Sequence, residues 1–394
     1  MNKIAKKIFI IIFISKKVFF APQKKNYLLF NKGSEVLTFL LKKNYQILPT
    51  LQQEINFYIL FKIFLKLKFT SLDYYKEYIR IIQPRIIITF IDNDLIFYRI
   101  KFFFKNISFI VIQNGVRDNY SDSNSADNLT ISKIYKNKLF CDLVCLVGEQ
   151  EKKFYKFIKT RFVVVGSVLN NEVYKKTNNF ANKKKLIGFI SQYRYIKSSI
   201  FLDLLDLKEK KFHNQHFYKN EPFMLSVLAD YCIKNNYKLV IIGHYYKNSN
   251  ESHQEHNFYK FIFKKFINLK WSLLAKKNIF SNYHLIHKPS LLISFDSTLG
   301  LEALARGIKV FRFQRQMFKR CQNAWIYSKT NGKFFSRNFD KKEVFKKFDN
   351  IFSKTNYKPF KYYNNIKLSS LIKFDPGNTI IKKIISNYNK KFIQ

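Results

Sequence analysis

Short apolar runs recur along the chain, and each run stops at a polar or glycine-containing segment. Runs without polar alternation are typical of strands buried on both faces of a parallel sheet. In the first half, the predicted strands are Ile8–Ile14, Tyr27–Phe30, Arg85–Ile91, Phe109–Ile112, Leu143–Val147 and Phe162–Val165. Helical spacing of apolar residues predicts helices at Gly33–Lys43, Ile55–Leu67 and Leu72–Ile82, the last ended by Pro84.

The same alternation restarts after a polar, charged segment, residues 177–185, which we interpret as a linker. Strands are predicted at Leu186–Ile190, Leu239–Ile242, Leu291–Phe295 and Lys309–Phe313, and helices at Pro222–Asn235, Leu299–Arg306 and Thr379–Phe392. This rhythm is typical of doubly wound α/β folds. The sequence therefore predicts an α/β protein of two Rossmann-like domains, residues 1–176 and 186–378, facing across a cleft.

The first twenty residues carry lysines and the apolar run Ile8–Ile14. A membrane-spanning helix needs roughly 20 apolar residues, so this run is too short to cross a bilayer. No small-residue cleavage site follows it, as a signal peptide would require. We expect a buried first strand here, with a signal peptide as the alternative.

The chain carries 71 basic and 26 acidic residues, a net charge of +45. Only 11 of the basic residues are arginine, the side chain that specific nucleic-acid readers prefer. Lys, Asn, Ile, Phe and Tyr dominate the composition, and their codons are rich in A and T, so we attribute the charge to compositional drift. We expect no specific nucleic-acid partner, whereas attraction to anionic membranes or substrates remains.

Neither cysteine nor histidine spacing predicts a metal site. The four cysteines lack ligand spacing; Cys141 and Cys145 lie in an apolar run, and the usage indicates a reducing compartment. Histidines three residues apart can bind a metal on a helix, but no cysteine or carboxylate pair accompanies them in a recognised zinc pattern. These pairs are His213/His216, His253/His256 and His284/His287.

The most specific segment runs from Leu291 to Val310, where a predicted strand leads through Ser297 and Thr298 into a helix. The first N–H groups of a helix are unpaired and carry partial positive charge, which suits a diphosphate. Glu302 lies one turn later and could accept hydrogen bonds from ribose hydroxyls. The alternative is that Ser297 or Thr298 only caps the helix and Glu302 is solvated.

Other predicted strands also end in polar residues. In the second half, Ser191 and Arg194 suit a phosphate, and His244 follows Gly243; a surface loop and a structural histidine are the alternatives. In the first half, Asp92 or Asp94 could act as general base toward an acceptor hydroxyl. Four residues after the next strand could position a sugar or phosphate, or simply satisfy a loop: Gln113, Asn114, Gly115 and Arg117.

The ordered segments ITFIDND, VIQNGVRDN, IGFISQYR, IIGH and SFDSTLGLEALARGIKV resemble the bacterial surface carbohydrate biosynthesis family. The resemblance runs from about Ile79 to the tail and includes FFSRNFDKKEVFKKF and FDPGN. It implies a glycosyltransferase of the two-Rossmann GT-B architecture. The turn Asp296–Thr298 is also similar in position to the phosphate-binding turns of CDP-glycerol glycerophosphotransferases and UDP-N-acetylglucosamine 2-epimerases.

The resemblance implies that the second domain binds the nucleotide donor and the first domain the acceptor. Residues on the donor side are then Ser191, Arg194, Gly243, His244, Asp296, Ser297, Thr298 and Glu302, and those on the acceptor side Asp92, Asp94, Gln113, Asn114, Gly115 and Arg117. The final helix, within residues 379–394, would cross back to the first domain. The E-x7-E signature of retaining enzymes is absent, because Ser294 stands eight residues before Glu302.

We therefore expect a cytoplasmic glycosyltransferase that uses a nucleotide sugar and a glycan or lipid-linked acceptor in surface polysaccharide biosynthesis. It would need no metal and no tightly bound cofactor, and would touch the anionic inner face of the cytoplasmic membrane. The base would be Asp92, Asp94 or His244. The alternatives are a sugar-nucleotide epimerase or glycerol-phosphate transferase on the same fold, and a non-catalytic basic protein that binds nucleic acid or anionic lipid.

Overall fold

The computed structural model divides the chain into two compact units. Unit 1 comprises Met1–Ser167 and Asn378–Gln394, and unit 2 comprises Val168–Gly377. The predicted strand Ile8–Ile14 and all of the predicted linker except Lys185 lie outside the described residues. The structure describes residues 15–41, 43–51, 53–67, 70–116, 139–155, 158–173, 185–193, 221–295, 297–313, 335–336, 340–353, 362–363 and 366–390.

The described elements alternate between strands and helices. The strands are β1 Lys16–Val18, β2 Tyr27–Phe30, β3 Tyr45–Leu48, β4 Glu54–Asn56, β5 Ile86–Thr89, β6 Ser108–Ile112, β7 Phe140–Leu146, β8 Lys159–Val164, β9 Leu186–Ile190, β10 Lys238–Tyr246, β11 Trp271–Lys276, β12 Leu291–Ser294, β13 Val310–Phe313, β14 Phe335–Ser336, β15 Tyr362–Tyr363 and β16 Ile366–Lys367. The α-helices are α1 Phe57–Phe64, α2 Ser71–Ile82, α3 Leu95–Lys101, α4 Val168–Glu172, α5 Glu221–Lys234, α6 Asn250–Phe263, α7 Ser281–Leu285, α8 Thr298–Ala305, α9 Lys341–Ser353, α10 Leu368–Leu371 and α11 Thr379–Lys390. Three 3₁₀ helices lie at Lys32–Leu40, Glu149–Tyr155 and Pro376–Asn378.

Each unit contains one six-stranded sheet. The strand order is β3-β2-β5-β6-β7-β8 in unit 1 and β11-β10-β9-β12-β13-β14 in unit 2. Every pairing within these two sheets is parallel. Two such sheets with helices between their strands confirm the predicted α/β class with two Rossmann-like domains.

The apolar runs form the central strands of both sheets, where both faces of each strand are buried. All four residues of β5 and all four of β12 are buried. The core of unit 1 includes Leu28, Ile87 and Val144, and that of unit 2 includes Phe189 and Ile293. Continuous burial explains why these strands are apolar throughout.

Helix α2 shows how local sequence sets the helix ends. The Thr70 hydroxyl accepts a hydrogen bond from the backbone N–H of Asp73 at 3.1 Å and donates to the Asp73 carboxylate at 2.5 Å. This pairing satisfies an N–H that the helix itself leaves open. The helix ends at Gln83, whose φ is 54°, directly before Pro84.

Two predicted helices differ from the structure. The first, Gly33–Lys43, is a 3₁₀ helix over Lys32–Leu40 rather than an α-helix. The second, Ile55–Leu67, begins as strand β4 and becomes helix α1 only at Phe57. Asn56 explains the change, because its side chain accepts a hydrogen bond from Ile59 N and caps the new helix.

The C-terminal helix α11 belongs to unit 1. The Tyr388 hydroxyl accepts a hydrogen bond from Arg161 Nη2 on β8 at 2.6 Å, and Asn389 donates to the Tyr27 hydroxyl on β2. The last helix is therefore bonded to β2 and β8, which are the first and last strands of this sheet in chain order and lie more than 200 residues before it. Among the helices described, none combines the length and apolarity that a membrane span requires.

Candidate active site

The strand order of unit 2 creates a switch point beside β9. From β9 the chain moves outward to β10 and β11, then returns to place β12 on the other side of β9. Ligands of open parallel sheets bind outside the carboxyl ends of the strands at such a reversal. Ser191 follows β9, and Ser297 and Thr298 follow β12, so these residues flank the switch point.

The start of helix α8 lies close against the end of β12. Ser297 caps the helix, since its Oγ accepts a hydrogen bond from Leu299 N at 3.3 Å. A Cβ on Gly300 would stand 2.7 Å from Ser294 Oγ, so only glycine allows this approach. Ser297 and Thr298 are partly exposed. Ser297 therefore caps the helix, as the alternative interpretation of the sequence held. Asp296 lies outside the described residues.

The Ser191 hydroxyl serves the protein itself. It donates to Glu255 Oε1 and accepts from the Tyr259 hydroxyl at 2.8 Å and from Tyr193 N at 3.2 Å. A serine hydroxyl has one proton and two lone pairs, so these contacts use its full capacity. We predicted that this hydroxyl would bind a phosphate; in the structure it instead fixes the loop after β9, and the partner Arg194 lies outside the described residues.

Glu255 on helix α6 joins the loops after β9 and β10. Its carboxylate accepts from His244 N at 2.9 and 3.1 Å and from Tyr245 N at 3.5 Å, besides the Ser191 hydroxyl. The side chain is fully buried, and burial raises the pKa of Glu255 above its usual value. Glu255 positions both loops and was not predicted from the sequence.

Gly243 and His244 lie within β10, near its carboxyl end. A Cβ on Gly243 would stand 3.2 Å from both Glu255 Oε2 and the Leu274 carbonyl, so glycine gives the carboxylate room. The Gly243 carbonyl accepts from Asn282 Nδ2 at 3.1 Å. The ring of His244 stays partly exposed, and its backbone N–H is one of the groups that Glu255 binds.

Glu302 is buried, contrary to the alternative of a solvated side chain. The Tyr283 hydroxyl donates to its carboxylate at 3.4 Å. One turn further, Arg306 Nη1 donates to the Tyr283 carbonyl at 3.2 Å and lies 2.5 Å from His287 Nε2. Burial lowers the pKa of Arg306 to about 10. Since arginine only donates, His287 accepts at Nε2, which leaves that nitrogen engaged rather than open to a metal.

In unit 1, Asp92 is fully buried at the end of β5. The Tyr155 hydroxyl donates to its Oδ2, and the Tyr98 hydroxyl donates to its backbone carbonyl at 2.5 Å. We predicted a general base at Asp92 or Asp94. The burial and tyrosine contacts of Asp92 give it a structural role in this arrangement, away from any acceptor in solution.

Asp94 lies at the switch point of unit 1, between β2 and β5. Its carboxylate caps helix α3 by accepting from Ile96 N at 3.0 Å, and burial raises its pKa above the usual value while Asn31 opposes the rise. The loop after β2 lies beside it: Asn31 has a φ of 72° and Ser34 Oγ accepts from Phe90 N at 2.8 Å. This loop was not predicted from the sequence, although an Asn-Lys-Gly-Ser run after a strand is a turn signal.

Gln113 is buried and holds the loops after β6 and β7 together. Its Nε2 donates to Glu151 Oε2 at 2.6 Å and to the Gly115 carbonyl at 2.7 Å, and its Oε1 accepts from Val147 N at 3.0 Å. The side chain that we predicted to contact the acceptor is thus structural. Asn114 beside it is exposed and Arg117 lies outside the described residues.

Within the described residues, no group of three or more His, Cys, Asp or Glu side chains is arranged to hold a metal ion. The His256 ring stacks on Trp271 with centroids 5.5 Å apart, and His213 and His216 lie outside the described residues. The candidate donor side in unit 2 offers hydroxyl, carboxylate and backbone groups at the switch point beside β9.

Solved structures share this architecture. A Listeria monocytogenes protein assigned as a UDP-N-acetylglucosamine 2-epimerase superposes with a TM-score of 0.52 at 12% identity, covering 93% of this chain and 97% of that one. A glycosyltransferase from Rickettsia africae superposes with a TM-score of 0.50 at 14% identity, covering 94% and 99%. At such identities the likeness establishes the glycosyltransferase-like fold.

Sequence comparison adds the biological setting. No curated protein sequence matches the chain significantly. A family model for proteins assigned to O-antigen biosynthesis matches residues 110–389, which is more than half of the chain and includes both loops that Glu255 joins and the start of α8. The chain therefore belongs to the O-antigen biosynthesis protein family.

Proposed function

We propose that this protein transfers a glycosyl unit from a nucleotide-activated sugar to a glycan or lipid-linked acceptor during O-antigen biosynthesis. The observation that carries the proposal is the switch point of unit 2, where the Ser191 loop and the start of α8 flank adjacent parallel strands. The family and the shared fold support the same pathway.

The donor diphosphate would bind at the start of helix α8. The N–H groups of Leu299 and Gly300 already bond the Ser297 hydroxyl and carbonyl. The Thr298 hydroxyl also lies there, and the helix dipole favours negative charge. The same groups would stabilise the charge that grows on the leaving diphosphate, so the proposal requires no metal. Glu302 and Tyr283, bonded to each other beneath this turn, would support its shape.

Asp94 is the proposed general base on the acceptor side. Burial raises the pKa of this carboxyl toward the range in which a base can take a proton efficiently. It would accept the proton of the acceptor hydroxyl while that oxygen bonds to the anomeric carbon. The bond from that carbon to the phosphate oxygen breaks, and the nucleoside diphosphate leaves with the electron pair. We place this reaction in the cytoplasm, at the membrane surface that holds lipid-linked acceptors.

The donor site is tested by nucleotide binding. A panel of UDP-, GDP- and CDP-linked sugars should include one that raises the melting temperature of the full chain by mass action. Combined Ser297→Ala and Thr298→Val substitutions should weaken that ligand about tenfold, since they remove one hydroxyl contact and the local cap. The matched control is Ser249→Ala, because Ser249 caps α6 in the same unit by accepting from Ser252 N at 3.1 Å. Equal weakening in both variants would reject this donor site.

The reaction is tested by product analysis with the stabilising nucleotide sugar. Transfer predicts release of nucleoside diphosphate only when an acceptor extract is present. Conversion of the nucleotide sugar without acceptor would instead establish epimerase chemistry. Asp94→Asn should lower turnover by about 100-fold or more while leaving nucleotide binding intact, as expected for loss of a general base. Asp73→Asn, a carboxylate at the start of α2 in the same unit, is the matched control.

A further inference from the structure

Helix α1 in unit 1 presents a row of large apolar side chains to solvent. Phe57, Phe61, Phe64 and Leu65 are all exposed, and Phe61 and Phe64 show 58% and 61% of their surface. Their spacing places them on one side of a helix. Ile59 and Ile63 are buried against the unit, so the exposed row is additional to the side that packs on the core. A row of this kind marks an interaction surface.

The segment before the helix extends the same surface. The ring of Phe19 stacks on Phe57 with centroids 5.1 Å apart and planes 12° apart, and Phe20 is 83% exposed. Asn56 Nδ2 donates to the Phe20 carbonyl at 2.9 Å, which holds this segment beside the helix start. The exposed aromatic groups are therefore ordered parts of one patch, which we call the α1 surface: Phe19, Phe20, Phe57, Phe61, Phe64, Leu65 and Leu67.

The chain segment that carries this surface is rich in lysine, although Lys66 is paired with Glu77 of α2 at 2.7 Å. Residues 16–68 contain ten lysines, two glutamates and no aspartate. One of those glutamates, Glu54, is paired with Lys16 at 3.5 Å. Lys62 lies within the helix with its Nζ 5.5 Å from the centre of the Tyr58 ring, where its stem lies along apolar surface. Apolar rings among lysines match the layered chemistry of an anionic bilayer, with acyl chains beneath phosphate groups.

We propose that the α1 surface docks the protein onto an anionic lipid bilayer, with α1 lying in the plane of the headgroups. Phenylalanine rings would enter the boundary between headgroups and acyl chains, and the lysines would contact lipid phosphates. The inference deepens the proposed function, on which its biological purpose rests, because a lipid-linked acceptor occupies the same bilayer. The docking itself depends only on the exposed side chains and their charges.

Vesicle sedimentation with the full chain provides the main test. Vesicles of phosphatidylcholine with phosphatidylglycerol should bind the protein, and vesicles of phosphatidylcholine alone should bind it much less. Combined Phe57→Ser, Phe61→Ser and Phe64→Ser substitutions should reduce the partition coefficient about tenfold or more. The matched control is Phe261→Ser with Ile267→Ser, which removes two exposed apolar side chains of unit 2 and should leave binding unchanged.

A conservative variant covers the case in which the triple substitution harms folding. Phe61→Trp keeps the residue apolar and adds a fluorophore to α1. Its emission should shift to shorter wavelength when anionic vesicles are added, whereas Phe261→Trp on α6 should give no shift beyond that of the unsubstituted chain. No shift at residue 61, or equal shifts at both positions, would overturn the proposal.

Other results have equally definite meanings. If the unsubstituted chain ignores anionic vesicles, or if the triple variant binds them as well as the control variant does, α1 is not a docking surface. If the triple variant melts at a lower temperature and binds vesicles normally, another segment of this chain covers the row. The nucleotide-dependent rise in melting temperature reports the proposed function separately, so it should persist in the triple variant.

Discussion

In unit 1 the amide of Gln113 joins the loops after β6 and β7, whereas in unit 2 the carboxylate of Glu255 joins the loops after β9 and β10. Gln113 bonds Glu151, Gly115 and Val147 in unit 1, and Glu255 bonds Ser191, His244 and Tyr245 in unit 2. Both sheets contain a switch point, but the loops that Gln113 joins follow β6 and β7, away from the switch point of unit 1 between β2 and β5. An ionised carboxylate accepts hydrogen bonds and donates none, so it can bind several donors at one point.

Loops at the ends of neighbouring strands can thus be joined by a neutral amide or by a buried carboxylate, at different electrostatic cost. A buried neutral amide loses little free energy on desolvation when its donor and acceptor are both used. A buried carboxylate keeps a raised pKa even with three partners, because desolvation opposes its charge. Protonation of Glu255 therefore affects the stability of the loops after β9 and β10. Gln113 does not titrate, so it gives the loops of unit 1 no such dependence on pH.

Loss of the carboxylate should have the largest effect. Glu255→Ala leaves the N–H groups of His244 and Tyr245 and the Ser191 hydroxyl without their acceptor, and should lower the stability of unit 2 by about 4 kcal/mol. Native-state hydrogen exchange of the β9 and β10 amides measures the loss locally. A change below about 1 kcal/mol would show that the loops hold without Glu255.

Exchange of the same residue for its amide should remove a pH dependence. The folded state raises the pKa of Glu255, so it binds this proton more tightly than the unfolded chain does. Stability from this group therefore falls as pH rises from the usual glutamate range through the raised value. Glu255→Gln should flatten that decrease in urea denaturation midpoints across the acidic range; an unchanged profile would assign the dependence to other groups.

The connection through the amide of Gln113 should be the weaker of the two. Gln113→Ala removes the acceptor of Val147 N and the donor to Glu151, and we expect a loss of about 2 kcal/mol. Exchange of the β6 and β7 amides reports it. A loss equal to that of Glu255→Ala would erase the distinction between the units.

Gly300 in unit 2 and Gly33 in unit 1 differ in the atoms that an added Cβ would contact. A Cβ on Gly300 would meet Ser294 Oγ at 2.7 Å and Cβ at 2.9 Å, close to the backbone of a buried strand. A Cβ on Gly33 would meet Ile91 Cδ1 at 2.7 Å, the movable end of a side chain. Gly300→Ala should therefore cost about 2 kcal/mol and Gly33→Ala less than about 1 kcal/mol in thermal unfolding. The reverse order would mean that α8 can lift away from β12.

The smallest effect belongs to the helix cap. Ser297→Ala removes the acceptor of Leu299 N and should cost about 1 kcal/mol, similar to Ser249→Ala at the start of α6. The two variants should differ in nucleotide binding rather than in stability. A much larger stability loss for Ser297→Ala would show a structural role beyond the cap.

The buried strands could be predicted because their burial is uniform. Leu186–Ile190 matches β9 residue for residue, and nothing polar interrupts it. The edge strands β3 and β11 escaped prediction. Every residue of β11 is only partly buried, so its sequence mixes serine and lysine with apolar residues and carries no continuous run. This mixed pattern follows from the position of β11 at the edge of the sheet, and that position depends on how all six strands pair.

The location of a ligand site at these strand ends stays a prediction, and the structure adds the bonds that their side chains make. The strand ends were identified correctly, whereas the hydroxyl of Ser191 and the amide of Gln113 bond other protein groups that sequence spacing does not reveal. Glu255 carried one usable signal: it falls in the row of buried residues on α6, together with Ser252, Tyr259 and Ile262. A glutamate in a buried row must bond partners there. The roles of Arg117, Arg194 and Asp296 stay predictions.

The membership of α11 in unit 1 has a consequence for synthesis on the ribosome. Unit 2 lies wholly between the two parts of unit 1, so its residues leave the ribosome before Tyr388 and Asn389 do. Some 200 residues are synthesised between the sheet of unit 1 and helix α11. Until α11 is available, Arg161 and Tyr27 of that sheet lack these hydrogen-bond partners. Domains generally fold as units in the order of their emergence. In this chain the domain that begins first is completed only after the whole of unit 2 has been synthesised.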